Sequence, residues 1–219
     1  MLPTYAYTDV ALTCLALGLV FAVLALVLLQ HVRRAVLAGK FGRVDLPVME
    51  WVHRHGSDLL TPVMRWASRL MALPVALPAA LLSLCWLLWR GNWQGAAGLF
   101  AALLLPSVLI PATKAHYRHP RPDVPWALAY EATCSYPSGH AAFSTTIYGM
   151  AAFLLDQSGR LPDWGAVVAA VAALLVLLTG YSRVYLGVHY PSDVLGGYAL
   201  GMISVLTGVG TVALLHAVA

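Results

Sequence analysis

Charge is scarce in this chain, and cysteines are few. Only 10% of its 219 residues are Asp, Glu, Lys or Arg, while 60% are hydrophobic. A water-soluble globular domain, in which about a quarter of the residues carry charge, is excluded. The three cysteines, Cys14, Cys85 and Cys134, are too few for a disulfide framework, and the first two fall inside apolar runs as small fillers. No basic residue precedes the first apolar run, Val10 to Leu29, which is also too long for the core of a signal peptide. Followed by Arg33 and Arg34, it reads as a retained membrane span. Internal repeats and low-complexity tracts are missing as well, which leaves one membrane domain over residues 1–219 as the expected organisation.

What remains is hydrocarbon in lengths that fit a bilayer. Several apolar stretches approach the roughly 20 residues that cross a core about 30 Å thick. The expected fold is all-α and polytopic, with six transmembrane helices near 9–30, 73–90, 95–113, 140–156, 164–181 and 194–217. Two short polar hairpins, "RGNWQG" and "DQSGRLPDW", join the second to the third span and the fourth to the fifth, with Trp93 an interfacial aromatic. Over 46–72, Val48, Val52, Leu59, Val63, Ala67 and Leu70 recur at roughly helical spacing against His53, Arg54, Arg65 and Arg69. That pattern predicts an amphipathic segment in the interface, its second half capped by Thr61 and opened by Pro62. In the last span Gly197 and Gly201 form a small-xxx-small pair suited to close helix packing.

Six crossings put the connections 31–72, 114–139 and 182–193 on one face, and eleven of the thirteen Lys and Arg residues lie there. Topological anchoring accounts for the group from Arg33 to Arg69. The others stand among histidines in three clusters. In "KAHYRHPRP", Lys114 ends the third span and Arg121 is braced between Pro120 and Pro122. In "YPSGH", Ser138 can cap the fourth span, and Gly139 lets the free N–H groups of a helix start approach an anion, with His140 next to it. In "SRVYLGVHYPSD", Arg183 leaves the fifth span and Asp193 stands four residues beyond His189, close enough to hold one imidazole nitrogen. Taken singly, these are a snorkelling lysine, a helix cap and an interfacial histidine. Gathered on one face, three cations, a helix N-terminus, two histidines and a carboxylate fit an oxyanion of two or more charges, most plausibly phosphate.

K-x-x-x-x-x-x-R-P, P-S-G-H and S-R-x-x-x-x-x-H-x-x-x-D together resemble the three-part signature of the type 2 phosphatidic acid phosphatase superfamily of integral-membrane lipid phosphatases. Every signature position between Lys114 and Asp193 is filled. The resemblance implies that Lys114, Arg121 and Arg183 clamp phosphate oxygens with Ser138 and the Gly139 amide. It implies that His189 attacks phosphorus, that Asp193 fixes its tautomer, and that His140 protonates the leaving oxygen and later activates water. No metal and no cofactor are expected: the histidines lack zinc spacing, no carboxylate cluster offers magnesium ligands, and the fixed cations fill that role. His116, Arg118 and His119 read as interfacial solvation or, alternatively, as a widening of the basic surface for a diphosphate or an anionic headgroup, Tyr181, Tyr185 and Tyr190 as belt or packing residues, and Asp123 and Glu131 as residues that could shape headgroup entry.

Two other readings stay open. One is a phosphotransferase, or a vanadate-binding haloperoxidase, built on the same site. The other is a protein that binds or transports a lipid phosphate without turnover, against which the His189 and Asp193 pair argues. Polyprenyl diphosphate, phosphatidylglycerol phosphate and phosphatidic acid all qualify as substrate, with preference for a polyprenyl diphosphate or a glycerophospholipid phosphate. The partners expected are the bilayer and its lipid phosphates, with no nucleic acid, and the sequence carries no signal for oligomeric state. Without the three clamp cations the basic residues still favour the motif face eight to two, which argues for the cytoplasm. The resemblance pulls the other way, since many bacterial relatives work at the outer leaflet, and an extracytoplasmic site in a bacterial plasma membrane is the expectation.

Overall fold

The computed structural model describes residues 44–159 and 163–219, with the isolated positions 12, 23 and 27. Apart from those positions, the expected first span at 9–30 lies outside the described residues, as do Arg33, Arg34, Lys40, Arg43 and Arg160. The described elements are helices: α1 (Asp45–Arg54), α2 (Leu60–Leu70), α3 (Leu73–Trp89), α4 (Trp93–Tyr117), α5 (Gly139–Gln157), α6 (Gly165–Tyr185) and α7 (Pro191–Ala217). Three of them, α4, α6 and α7, are long and apolar enough to cross a membrane, and α2 with α3 makes a fourth if the pair, bent by 48°, counts as one span.

The amphipathic pattern over 46–72 resolves into two helices. α1 buries Asp45, Met49 and Val52, and α2 buries Met64, Ala67 and Ser68, each set on one helical face. The break between them is fixed by Tyr185 of α6. Its hydroxyl accepts from the Ser57 N–H at 3.2 Å, donates to the Ser57 carbonyl at 3.0 Å and lies 2.9 Å from Thr61 Oγ1. Gly56 passes beneath that ring, where a Cβ would stand 3.1 Å from the Tyr185 hydroxyl. One expectation is narrowed here and one corrected. Of the belt and packing roles open to Tyr185, the structure gives packing, as a buried anchor. Thr61 does not cap α2, because Ser57 Oγ accepts the Leu60 N–H at 3.3 Å while Thr61 Oγ1 donates back to the Ser57 carbonyl at 3.1 Å.

The bundle is built on α7, which packs extensively against both α4 and α5. Small residues permit the approach: a Cβ on Gly201 would collide with Thr145 Cβ and stand 2.6 Å from the Ala142 carbonyl. Gly197 likewise faces the Ser138 carbonyl, so the predicted small-xxx-small pair is a helix contact. α5 touches α4, α6 and α7, and it buries Ser144, Thr145 and Thr146. Those hydroxyls donate to carbonyls three or four residues back, which satisfies them without water. On the outside of α6, Val167, Val171, Leu174 and Leu177 are exposed along one stripe, a surface suited to lipid.

Local signals set the helix ends. Asn92 caps α4, its Oδ1 accepting the Gly95 N–H at 2.8 Å, and Arg118 closes that helix in a left-handed turn at φ 45°. Ser138 caps α5, and its own N–H donates to the Asp193 carbonyl at 3.0 Å, pinning the start of α5 to the start of α7. Asp45 of α1 accepts from the Ser192 hydroxyl at 2.7 Å and the Ser192 N–H at 3.1 Å, so α1 caps α7 from outside. The C-terminal ends of α4 and α6 and the N-terminal ends of α5 and α7 therefore meet at one end of the bundle, under the loop 118–138.

Candidate active site

His189 lies in the turn between α6 and α7 and is 1% exposed. Its Nδ1 is 3.3 Å from Asp193 Oδ2, a pairing made across the cap of α7 and not within a helix. The second nitrogen, Nε2, stands 3.1 Å from Arg121 Nη1, which can only donate. The ring proton is thereby assigned to Nδ1, leaving an Nε2 lone pair facing the cations. Burial pushes the imidazole down from 6.5 to about 4, with the Asp193 hydrogen bond opposing, so His189 is neutral at physiological pH. Asp193 Oδ2 also accepts from the Tyr190 N–H at 2.9 Å and from the Ser135 hydroxyl, and His119 Nδ1 lies 3.4 Å from Oδ1.

The cations converge opposite that lone pair. Arg121 donates through Nη1 to the Val188 carbonyl at 2.6 Å and through Nε to the Thr133 carbonyl at 2.7 Å. Arg183, 3% exposed, is held by Ser68 Oγ of α2. Lys114 Nζ and Arg121 Nη2 both bond Thr133 Oγ1, at 3.1 and 3.2 Å. Between them sits the Glu131 carboxylate. Its Oε2 accepts from Arg121 Nη2 at 2.5 Å and lies 4.0 Å from His189 Nε2. Its Oε1 accepts from Arg183 Nη2 and lies 3.9 Å from His140 Nδ1. Burial works against ionisation of Glu131, but Arg183 and Arg121 outweigh it and hold the carboxyl below its ordinary 4.5. An anion is thus coordinated by two guanidinium groups and flanked by two imidazoles.

Five of the residues singled out by sequence, Lys114, Arg121, His140, Arg183 and His189, converge on this one space, and the sixth, Asp193, stands behind His189. Gly139 borders it: a Cβ there would meet only Ile110 Cδ1, at 4.0 Å, so room is left before the helix start. Ser138 is placed differently, its fully buried hydroxyl facing the Ala141 N–H at 3.5 Å as a cap. His119 corrects another expectation. It is buried against Asp193 and the Tyr190 ring and is not an interfacial, solvated group. Sequence reasoning missed Ser68, Thr133 and Ser135 and gave Glu131 no rank. The one available signal was a serine on the apolar face of α2.

A buried, multiply cationic site with an oriented imidazole at its floor therefore lies at the ends of membrane-type helices. The family is specific: residues 95–214 match the model of the PAP2 superfamily, and the chain belongs to it. It is 40% identical over 84 residues to phosphatidylglycerophosphatase B of Bacillus subtilis, a match covering 38% of this chain and 41% of that protein. It is 45% identical over 67 residues to undecaprenyl-diphosphatase of Sulfolobus acidocaldarius, covering 31% of this chain and 28% of the relative. The chain thus spans less than half the length of these curated relatives. The crystal structure of a transmembrane PAP2-type phosphatidylglycerolphosphate phosphatase from Bacillus subtilis superposes with a TM-score of 0.75 at 27% identity, covering 86% of this chain and 92% of that one.

Proposed function

We propose that the chain is a membrane-embedded lipid phosphatase that hydrolyses the terminal phosphate of a lipid phosphate or diphosphate through a phosphohistidine. The observation that carries this reading is the Glu131 carboxylate held between Arg121 and Arg183 with His189 Nε2 and His140 Nδ1 on its two sides. A phosphoryl group in the same place would present phosphorus to a neutral, buried nucleophile and its leaving oxygen to an acid.

In the first step the Nε2 lone pair of His189 forms the N–P bond. The P–O bond to the lipid breaks, and the departing oxygen takes a proton from His140. Asp193 accepts the Nδ1 proton in a hydrogen bond and offsets the positive charge that grows on the ring. In the second step neutral His140 takes a proton from water, the hydroxide attacks phosphorus, and the N–P bond electrons return to Nε2, releasing orthophosphate. Lys114, Arg121 and Arg183 face the equatorial oxygens in both transition states, with the Gly139 amide at the start of α5; Ser138 holds that helix start in place. The cycle is metal-independent because three fixed cations supply the charge. Among the described residues, no group of three or more His, Cys, Asp and Glu side chains is arranged to hold a metal ion.

The lipid reading follows from position. The site lies at helix ends, so a tail can stay in the bilayer while the phosphate enters between helices. Phosphatidylglycerol phosphate and a polyprenyl diphosphate are the substrates favoured, in line with the names of the relatives. The six-span plan joins the run at 10–29 to α3 through α7, with the site on the extracytoplasmic side of a bacterial plasma membrane. Phosphate release from detergent-solubilised protein, with polyprenyl diphosphate, phosphatidylglycerol phosphate and phosphatidic acid in parallel, tests the activity. Turnover should persist in chelator, and vanadate should inhibit. Release from none of the lipids refutes the reading, and restoration by magnesium after chelation refutes the metal-free mechanism. A cysteine placed in the 123–131 loop should react with an impermeant reagent on intact cells; failure to label reverses the sidedness.

A further inference from the structure

The phosphate cradle is filled by the protein itself. All three clamp cations bond residues 131–133: Arg121 and Arg183 hold the Glu131 carboxylate, and Lys114 and Arg121 share the Thr133 hydroxyl. This segment lies in the helix-free loop 118–138, whereas Lys114 and Arg183 belong to α4 and α6. The anion therefore stands on the more movable element. The Glu131 side chain is 28% exposed against 3% for Arg183 and 1% for His189, which puts it at the mouth of the site with the reactive groups behind it. Beside it opens a cavity of about 430 Å³, lined by Arg118, Arg121, Asp123, Tyr130 and Val188. That cavity gives a displaced carboxylate somewhere to go and a guanidinium, Arg118, to meet.

We propose that Glu131 is an intramolecular stand-in for phosphate, which closes the site at rest and must be displaced by the incoming phosphoryl group. The inference rests on the phosphatase reading. A carboxylate carries one charge on two oxygens, so it reaches two guanidinium groups and leaves Lys114 to Thr133. A phosphate monoester brings up to two charges on three terminal oxygens and can engage all three cations and the start of α5 at once. Substrate wins the exchange for that reason. Glu131 then competes with orthophosphate for the same cations and shortens its stay in the cradle after the second step. The residue thereby weakens the affinity for phosphate and sets which anions enter: a monoanion, no better than the carboxylate, is refused.

The discriminating quantity is the equilibrium Kd for orthophosphate, measured by calorimetry on the full chain in detergent for the unmodified protein, Glu131→Gln and Glu131→Asp. Gln keeps the size and loses the charge, and Asp keeps the charge but is one methylene too short to reach both guanidinium groups. The Kd should fall tenfold or more in Glu131→Gln and by a smaller factor in Glu131→Asp, with KM for the lipid falling in parallel. A counter-ion that serves only to aim the guanidinium groups leaves them misplaced when it is neutralised, so an unchanged or raised Kd in the variants overturns the proposal; hydrogen exchange separates displacement from simple relief of repulsion. Should Glu131→Gln not fold, Glu131→Asp carries the same comparison. Hydrogen exchange on the unmodified protein adds an independent readout: saturating vanadate should speed exchange at amides 129–133, and unchanged or slower exchange there also overturns it. Calorimetry needs no turnover, so an absence of phosphate release would sink the phosphatase reading while the Kd ratio judges this inference separately.

Discussion

Replacing Asp193 by Asn isolates the charge behind the nucleophile. Oδ2 faces three donors: the Tyr190 N–H, the Ser135 hydroxyl and His189 Nδ1. An amide nitrogen cannot take that place, so the Asn oxygen must stay there and its NH2 must turn toward His119, which accepts through Nδ1 as the other tautomer. The imidazole keeps its orientation and loses its anion. The hydrogen bond falls from charge-assisted to neutral just as positive charge grows on the ring. That change, with some loss of alignment, costs roughly 2–4 kcal/mol, or about 30- to 1000-fold in rate. The loss belongs to kcat, because the phosphate-holding cations are untouched and KM should stay within about threefold. Rapid quench into alkali, which spares phosphohistidine, should show label from a phosphorus-labelled lipid appearing on the His189 peptide at the reduced rate, with the melting temperature little changed. Label appearing at the unmodified rate, or a rise in KM alone, would show that Asp193 serves the fold of the α7 cap and not the chemistry.

Further outcomes follow from neighbouring groups. His140→Ala should cost most with a lipid leaving group and be relieved at least tenfold by an activated aryl phosphate, whose oxygen needs little protonation; equal losses on both remove His140 from the acid role. The pKa of His189 is lowered in the fold, so below about 6.5 the unfolded chain binds a proton that the folded chain refuses. The stability from this group is present above pH 6.5 and is lost as the pH falls toward 4, a dependence that a denaturation series should show and that His189→Gln should flatten. Ser68→Ala frees one side of Arg183 and should raise KM by about five- to tenfold, near 1 kcal/mol, with kcat nearly unchanged. An unaltered KM would mean that α2 does not position the clamp.

The proposed catalytic residues were legible because their motifs also write the ends of helices. Pro137, Ser138 and Gly139 start α5, Pro191 starts α7, and Pro120 and Pro122 hold Arg121 off the end of α4, so reading the helix boundaries already brought His140, His189 and the cations to one end of the bundle. The groups that tune those residues carry no such punctuation. Ser68 reaches Arg183 across 115 positions, Ser135 reaches Asp193 across 58, and Glu131 reaches Arg183 across 52. Each is a polar residue whose partner is chosen by the packing of a different helix or loop, and neither a period nor a spacing records that choice. The start of α2 was legible near Thr61 and Pro62, but the turn that separates it from α1 is imposed from α6 by the Tyr185 hydroxyl, which no local signal records. His119 shows the same limit in reverse. Its basic neighbours in sequence made it look solvated, yet the left-handed turn at Arg118 turns the chain back over the bundle and buries His119 against Asp193. In this protein, charge that looks local in sequence is divided by the fold into two sets, one facing phosphate and one holding the first in register. A substitution in the first set should be read in kcat and in KM for the lipid, and one in the second in how rigidly the first is aimed.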